Sequence, residues 1–339
     1  MGSGRVVPYR EYVGEEAVLI TCASYEERSV DSTERVLSRN QKLRSCVLVK
    51  LSGETVSSNL WRSLTPDPAE HARAEVQEAW DRNYKGMVGI LRAHQPSIEI
   101  TEVPLEAEDP YGLARAVWSD IPRASKVILD ISCFPKHILL SLLRWRPSVE
   151  LSLFYTRPKS ESNIEDEISV GVQRIGILRG FEGEVKLGRP TLLVLLLGFE
   201  GSRAMAIFRH FEPQTTLALC GNPDPVLGPA DTKFYIDSAR QNNAQLMSNQ
   251  RVVTKALPSL DPESCAESLE DAIGTESAGK SMNILLSVLG TKAQVVGTYL
   301  YLIRHQETQV AYTIPIRRGV ASRGTGSSWV YLHPHFGPP

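Results

Sequence analysis

Cysteine is scarce in this chain, with five residues (Cys22, Cys46, Cys133, Cys220 and Cys265) scattered over 339 positions. An odd, widely spaced set with no C-x-x-C argues against a disulfide framework, and with no nearby His pair it argues against a cysteine-rich zinc site. No run approaches the roughly 18 consecutive apolar residues of a membrane span. Residues 1–10 lack the apolar core of a signal peptide, so the sequence reads as a cytoplasmic protein with no membrane partner. An excess of one charge is missing too, with Lys+Arg 37 against Asp+Glu 39 and a formal net charge of −2. Without a global pull toward nucleic acid, any anion-binding site must be local. Two nucleotide signatures are also absent. No G-x-G-x-x-G follows either first strand and no G-x-x-x-x-G-K-[ST] occurs anywhere, which disfavours classical NAD binding and P-loop ATP hydrolysis.

What is present is alternation. Short apolar runs at 17–22, 46–51, 98–104, 127–131 and 149–155 read as buried strands, with helical periodicity between them at about 69–94, 110–120 and 135–143. Strands alternating with helices imply a mostly parallel, doubly wound α/β sheet. From Arg157 the chain turns polar and acidic (Glu161, Glu165, Asp166, Glu167), and this stretch is expected to connect two domains.

After Pro190 the pattern repeats. Runs at 192–197, 216–220, 251–257, 282–287 and 309–315 match the first five in order, and each half ends with a further apolar run, 174–178 in the first and 328–332 in the second. The repetition predicts duplication of one Rossmann-like unit. The expected domains are 1–160, a connecting segment 161–189, and 190–339. They form two tandem Rossmann-like sheets related by a pseudo-twofold, with their loops facing a shared cleft.

In such sheets ligands bind beyond the carboxyl ends of the strands, where helix N-termini favour anions. Two loops per half lie there. After the first strand come Tyr25-Glu26 and Phe199-Glu200, followed by Arg28 and Arg203. An aromatic ring stacks on a base, a carboxylate accepts from ribose hydroxyls, and an arginine pairs with phosphate. The plainer reading is an aromatic packed beneath a loop and a glutamate in a helix's first turn. After the fourth strand come Asp130-Ile131-Ser132-Cys133-Phe134-Pro135-Lys136 and Leu286-Ser287-Val288-Leu289-Gly290-Thr291-Lys292, each ending in lysine as a helix begins. Gly290 permits close backbone approach, Thr291 caps the helix, and Lys292 adds charge beside its dipole.

The segment from Asn283 to Lys292 resembles the strand and G-T-K loop of CRISPR-associated Rossmann fold (CARF) domains, and Asp130 through Lys136 resembles a degenerate copy. That family binds cyclic oligoadenylates across a twofold axis, using loops after the first and fourth strands. The resemblance implies that Thr291 and Lys292, with Ser132 and Lys136, contact phosphate or ribose. CARF proteins usually carry an attached effector, and no third domain is expected before Pro339, so the expectation is a sensor acting on a separate partner, a ring-opening nuclease or an unrelated Rossmann-like protein.

The weaker candidates are few. Cys220-Gly221-Asn222-Pro223-Asp224-Pro225 follows a second strand but reads first as a rigid turn. His137 is the one acid–base candidate, and a lone histidine is more often structural. His333 and His335 flank Pro334 without the partners a metal clamp needs. The loop 319–328, near Arg317, Arg318 and Arg323, closes on an anion or is simply a surface loop. No complete nucleophile, base and orienter set appears. The favoured function is therefore a cytoplasmic sensor of a nucleotide or oligonucleotide, acting on a partner in antiviral defence, with no cofactor or metal and with homo-oligomers open. The rivals are a phosphodiesterase, ring nuclease or nucleotide hydrolase using Lys136, His137, Lys292 or Glu26, and an interaction scaffold.

Overall fold

The computed structural model describes residues 4–12, 16–40, 42–51, 68–105, 108–164, 168–222, 229–318, 322–333 and 336. In chain order the first elements are β1 (Arg5–Pro8), β2 (Ala17–Ala23), α1 (Arg28–Arg39), β3 (Leu43–Leu51), α2 (Pro68–His94) and β4 (Glu99–Leu105). There follow α3 (Pro110–Trp118), β5 (Lys126–Asp130), α4 (Lys136–Arg144), β6 (Glu150–Glu161), β7 (Ser169–Val170) and β8 (Arg174–Ile177). Then come β9 (Thr191–Leu197), α5 (Gly201–Phe211), β10 (Thr215–Asn222), α6 (Pro229–Asn242), α7 (Ala244–Met247) and β11 (Val252–Pro258). The last are α8 (Pro262–Glu276), β12 (Asn283–Val288), α9 (Lys292–Leu302), β13 (Gln309–Ile314), β14 (Arg317–Arg318) and β15 (Ser322–Leu332).

The fold is α/β with two mostly parallel sheets. One has the order β1-β15-β6-β5-β2-β3-β4 and the other β11-β10-β9-β12-β13-β8. Numbered within its own half, each sheet carries five parallel strands in the order third, second, first, fourth, fifth, and then an antiparallel strand beside the fifth. This is the strand order of a doubly wound sheet, with its switch point between the first and fourth strands. The β2 run Ala-Val-Leu-Ile-Thr-Cys-Ala is buried at every position, as a central parallel strand covered on both faces must be. On one face Val36 and Leu37 of α1 and Leu91 of α2 pack with Ala17, Leu19 and Cys46. Trp118 of α3 donates its indole N–H to the Leu142 carbonyl of α4 at 3.0 Å, joining that helix pair. In the second sheet Ala204 and Ile207 of α5 pack on Leu193, Leu195 and Leu197.

Register extends the match between halves. Ile20 pairs with Leu129, and Leu129 with Leu153. Val194 pairs with Leu286, and Leu286 with Val310. Taking these rows as equivalent places Glu26 on Glu200, Tyr155 on Tyr312 and Thr156 on Thr313. The same strand order in both halves is what duplication requires.

The chain's division differs from the expected one at the tails. The two compact units are 1–162 with 319–339, and 163–318. The segment expected to be a connector instead supplies β7 and β8, and β8 pairs antiparallel with β13, opposing Ile177 to Ala311. The final apolar run, assigned by sequence to the second half, forms β15 and pairs antiparallel with β6, opposing Val330 to Phe154. The two tails do correspond, but each completes the other half's sheet. The physical reason is edge closure: β6 and β13 each end a parallel set with unpaired N–H and C=O groups, which an antiparallel strand satisfies. The second unit is thus an uninterrupted insertion between two neighbouring strands of the first. Acidic residues 165–167, Pro223 to Pro225, Pro334 and His335 lie outside the described residues. Among the described residues no helix is long and apolar enough to cross a membrane, and all five cysteines are free and buried.

Candidate functional site

In the first unit β2 ends at Ala23 beside the end of β5 at Asp130, so the loops 24–27 and 131–135 leave the carboxyl edge together. Asp130 ties them to each other. One of its oxygens accepts from the Ser132 amide at 3.0 Å and from the Ser132 hydroxyl. The other accepts from the Ser32 hydroxyl of α1 and, at 3.2 Å, from the Thr21 hydroxyl. Burial pushes the Asp130 carboxyl up while these hydrogen bonds pull against it. The Ser132 hydroxyl also accepts from the Thr156 amide at 2.9 Å, so this side chain, expected on a ligand, ties the end of β5 to β6.

Glu26 and Arg28 pair with each other. The Arg28 guanidinium lies 2.6 Å from the Glu26 carboxylate and donates to the Thr156 carbonyl at 3.2 Å. Burial is the largest influence and works against its charge, but Glu26 together with Cys133, Tyr155 and Glu161 outweighs that cost, so its pKa rises further and it stays protonated. Tyr155 lies beside it, its phenol pushed up to about 12 by burial. The carbonyl of Ser24 accepts from the buried Asn83 of α2 at 3.0 Å, which fixes the loop from the opposite side. Tyr25 and Lys136 are half-buried, Lys136 as the first residue of α4. His137, next along the helix, is 4% exposed.

The second unit repeats the arrangement with different side chains. Glu200 and Arg203 form a 2.6 Å ion pair, both nearly inaccessible. Arg203 also donates to the Thr313 hydroxyl at 2.7 Å and to the Thr313 carbonyl at 2.9 Å. The Ser169 hydroxyl of β7 donates to Glu200. Asn243 donates to the Gly198 carbonyl at 2.8 Å, at the register position of Ser24, and Asn242 to the Phe199 carbonyl at 2.7 Å. Phe199 stacks on Tyr235 of α6 at 5.4 Å with an 18° interplanar angle.

After β12 the Thr291 hydroxyl accepts from the Gln294 amide at 3.2 Å while the Gln294 side chain accepts from the Thr291 amide at 2.9 Å, a complete capping box. The same hydroxyl donates to the Ser259 carbonyl. A Cβ on Gly198 would lie 2.2 Å from the Leu289 carbonyl oxygen, so this loop needs glycine to approach the one after β12, whereas a Cβ on Gly290 would lie 1.8 Å from the Gln294 side-chain oxygen and displace that capping side chain. Lys292 begins α9 and is half-buried.

The structure places these loops at the carboxyl edges of their sheets, and several side chains expected on a ligand make internal contacts there. Arg28, Arg203, Glu26 and Glu200 are paired because a charge taken out of water needs a partner. Ser132 and Thr291 hold loops and a helix end. His333 packs between Tyr331 and Phe336, with ring centroids 5.9 and 5.7 Å away. Sequence reasoning missed Asp130's hub, the asparagine pair and the threonine carbonyls. One signal was there to be found: Tyr155-Thr156-Arg157-Pro158 and Tyr312-Thr313-Ile314-Pro315 repeat a Y-T-x-P tetrapeptide at matching register.

No family model matches the chain, and no curated protein matches it in sequence. Among solved structures the chain is similar to a type III CRISPR defence DNA nuclease activated by cyclic oligoadenylate, with a TM-score of 0.50 and 10% identity over 91% of this chain and 68% of that one. That likeness is one of fold. The cytoplasmic domain of a prokaryotic cation chloride cotransporter also matches, with a TM-score of 0.22 and 11% identity over 89% of this chain and 96% of that one.

Proposed function

We propose that this chain is a sensor that binds a nucleotide or oligonucleotide, cyclic ones included, at the carboxyl edges of its sheets and passes the event to a separate effector protein in antiviral defence. The observation that carries this reading is the repeated scaffolding of one loop pair. In both units the loop after the first strand is held by an asparagine, a Glu–Arg pair and the fifth strand's threonine, and a lysine opens the helix after the fourth strand. Rigid loops beside two helix N-termini, with aromatics at Tyr25 and Phe199 and cations at Lys136 and Lys292, suit stacking on a base and pairing with phosphate. The fold likeness supports the ligand class, since the similar nuclease is activated by cyclic oligoadenylate. The burial of His137 supports binding without hydrolysis, because a general base must reach its proton.

The test is incubation with cyclic and linear oligoadenylates, gel filtration and mass spectrometry of what is retained. A retained, unchanged ligand whose binding Lys292→Ala weakens by roughly 1.5–3 kcal/mol, as for a charge-assisted hydrogen bond, is the expected result. Shortened product that disappears with His137→Ala moves the protein to the nucleases. No retention of any nucleotide overturns the reading.

A further inference from the structure

At the far end of α1 from these loops, three arginines gather on one tyrosine. Tyr9 follows β1. The Arg35 guanidinium carbon lies 5.5 Å from its ring centroid and that of Arg39 5.8 Å. Arg10, the next residue, hydrogen-bonds the phenol. Arg35 and Arg39 sit one helical turn apart on α1, a like-charge spacing that is destabilising in an isolated helix. Among the described residues no carboxylate pairs with any of the three. Asp31, one turn before Arg35, is engaged instead by the Thr325 hydroxyl, and Glu27 accepts from the Gly324 amide at 3.0 Å. Arg35 commits one nitrogen to the Gly326 carbonyl at 2.6 Å and to the Ser328 hydroxyl at 2.7 Å, which fixes its stem and leaves its other donors oriented. The positive surroundings draw the Tyr9 phenol below its usual range, Arg10's hydrogen bond being the largest cause. In a chain whose net charge is −2, this is a local concentration of cation with no ion-pair partner among the described residues.

The geometry points to a second anion site: Arg10, Arg35, Arg39 and the Tyr9 hydroxyl bind a phosphoryl group on the first unit, at the opposite end of α1 from the candidate ligand loops. Guanidinium donors in a fork match phosphate oxygens, the ring restricts two of the three arginines, and the phenol adds a neutral donor. The phosphoryl group belongs either to a small phosphorylated molecule or to a nucleic-acid backbone. Arg35 is the only one of the three that also fastens β15, so an occupant there bears on the strand that closes the first sheet. The site does not depend on the sensor reading, since no residue of it lies in the loops.

Calorimetry of the full chain with inorganic pyrophosphate and with a short oligothymidylate tests this, using Arg39→Gln and Arg10→Gln, with Arg209→Gln, an exposed arginine of α5, as the control for loss of one surface charge. Binding that weakens about tenfold or more in either arginine variant and is unchanged in the control supports the site. If pyrophosphate binds, the source is a small phosphorylated molecule; if only the oligothymidylate binds, it is a nucleic-acid backbone. A second readout is the phenol's ultraviolet titration, taken as wild type minus Tyr9→Phe, which should move to higher pH when the probe is bound. No binding of either probe, or binding that the arginine variants leave intact, overturns the proposal.

Discussion

Replacing Arg203 by methionine removes a guanidinium but keeps most of its apolar volume, so the effect isolates charge and hydrogen bonding. The variant takes from the Glu200 carboxylate, only 7% exposed, its Arg203 ion pair, and strips two hydrogen bonds from Thr313. Breaking a buried ion pair by deleting one partner costs about 3–5 kcal/mol, because the orphaned charge stays desolvated. Removing both charges with Glu200→Gln and Arg203→Met together is expected to recover at least half of that loss, since no buried charge then remains. The assay exploits composition. All five tryptophans (Trp61, Trp80, Trp118, Trp145, Trp329) fall in the first unit, so fluorescence follows that unit and far-ultraviolet circular dichroism follows both. In urea, Arg203→Met should bring forward a transition seen by dichroism while leaving the fluorescence midpoint in place. A loss below about 1 kcal/mol would mean that the pair is solvated after all, and the burial argument would fail. A fluorescence shift equal to the dichroism shift would refute independent unfolding of the two units.

The insertion topology predicts that residues 163–318 fold when produced alone, and that the first unit folds when 162–321 are replaced by Asn-Gly, because Glu161 and Ser322 are register partners ready for a two-residue turn. Failure of both pieces to give cooperative unfolding would count against the division. Asp130 has a raised carboxyl pKa in the folded state, so the native protein holds this proton more tightly than the unfolded chain does. Its contribution is therefore favourable at low pH and is lost as pH rises through the folded value. Asp130→Asn should flatten that slope in denaturation experiments from about pH 4 to 7, and an unchanged slope would locate the titration elsewhere. Gly198→Ala places a methyl group on the Leu289 backbone and should cost about 1–3 kcal/mol by overpacking, a thermal shift absent from an exposed control such as Gly89→Ala, where a Cβ meets nothing.

Strand positions were legible because fully buried parallel strands such as 17–23 and 191–197 are continuous apolar runs that polar loops interrupt. Pairing was less legible. Nothing in the 328–332 run says which of two similar edges it completes, since hydrophobic pattern fixes the face of a strand but not its neighbour. The site shows the same limit. Glu26 and Arg28 are two positions apart in sequence, and only the fold shows whether such charges meet ligand or each other. Asp130 was read as the start of a loop. Its role depends on Thr21 and Ser32, which lie more than ninety positions away and join it only when β2 and α1 are in place.

The returning strand also sets a timetable for synthesis. At about 5–20 residues per second, β15 leaves the ribosome roughly ten to thirty seconds after β6, and the whole second unit is made in between. Through that interval the first sheet waits with one side of β6 unpaired, an edge able to recruit any passing strand, including β8 of its own chain, whose register along β13 mirrors that of β15 along β6. The correct outcome depends on the second unit closing its own edge first. A nascent chain stalled before Ser322 should accordingly need chaperone protection that the finished protein does not.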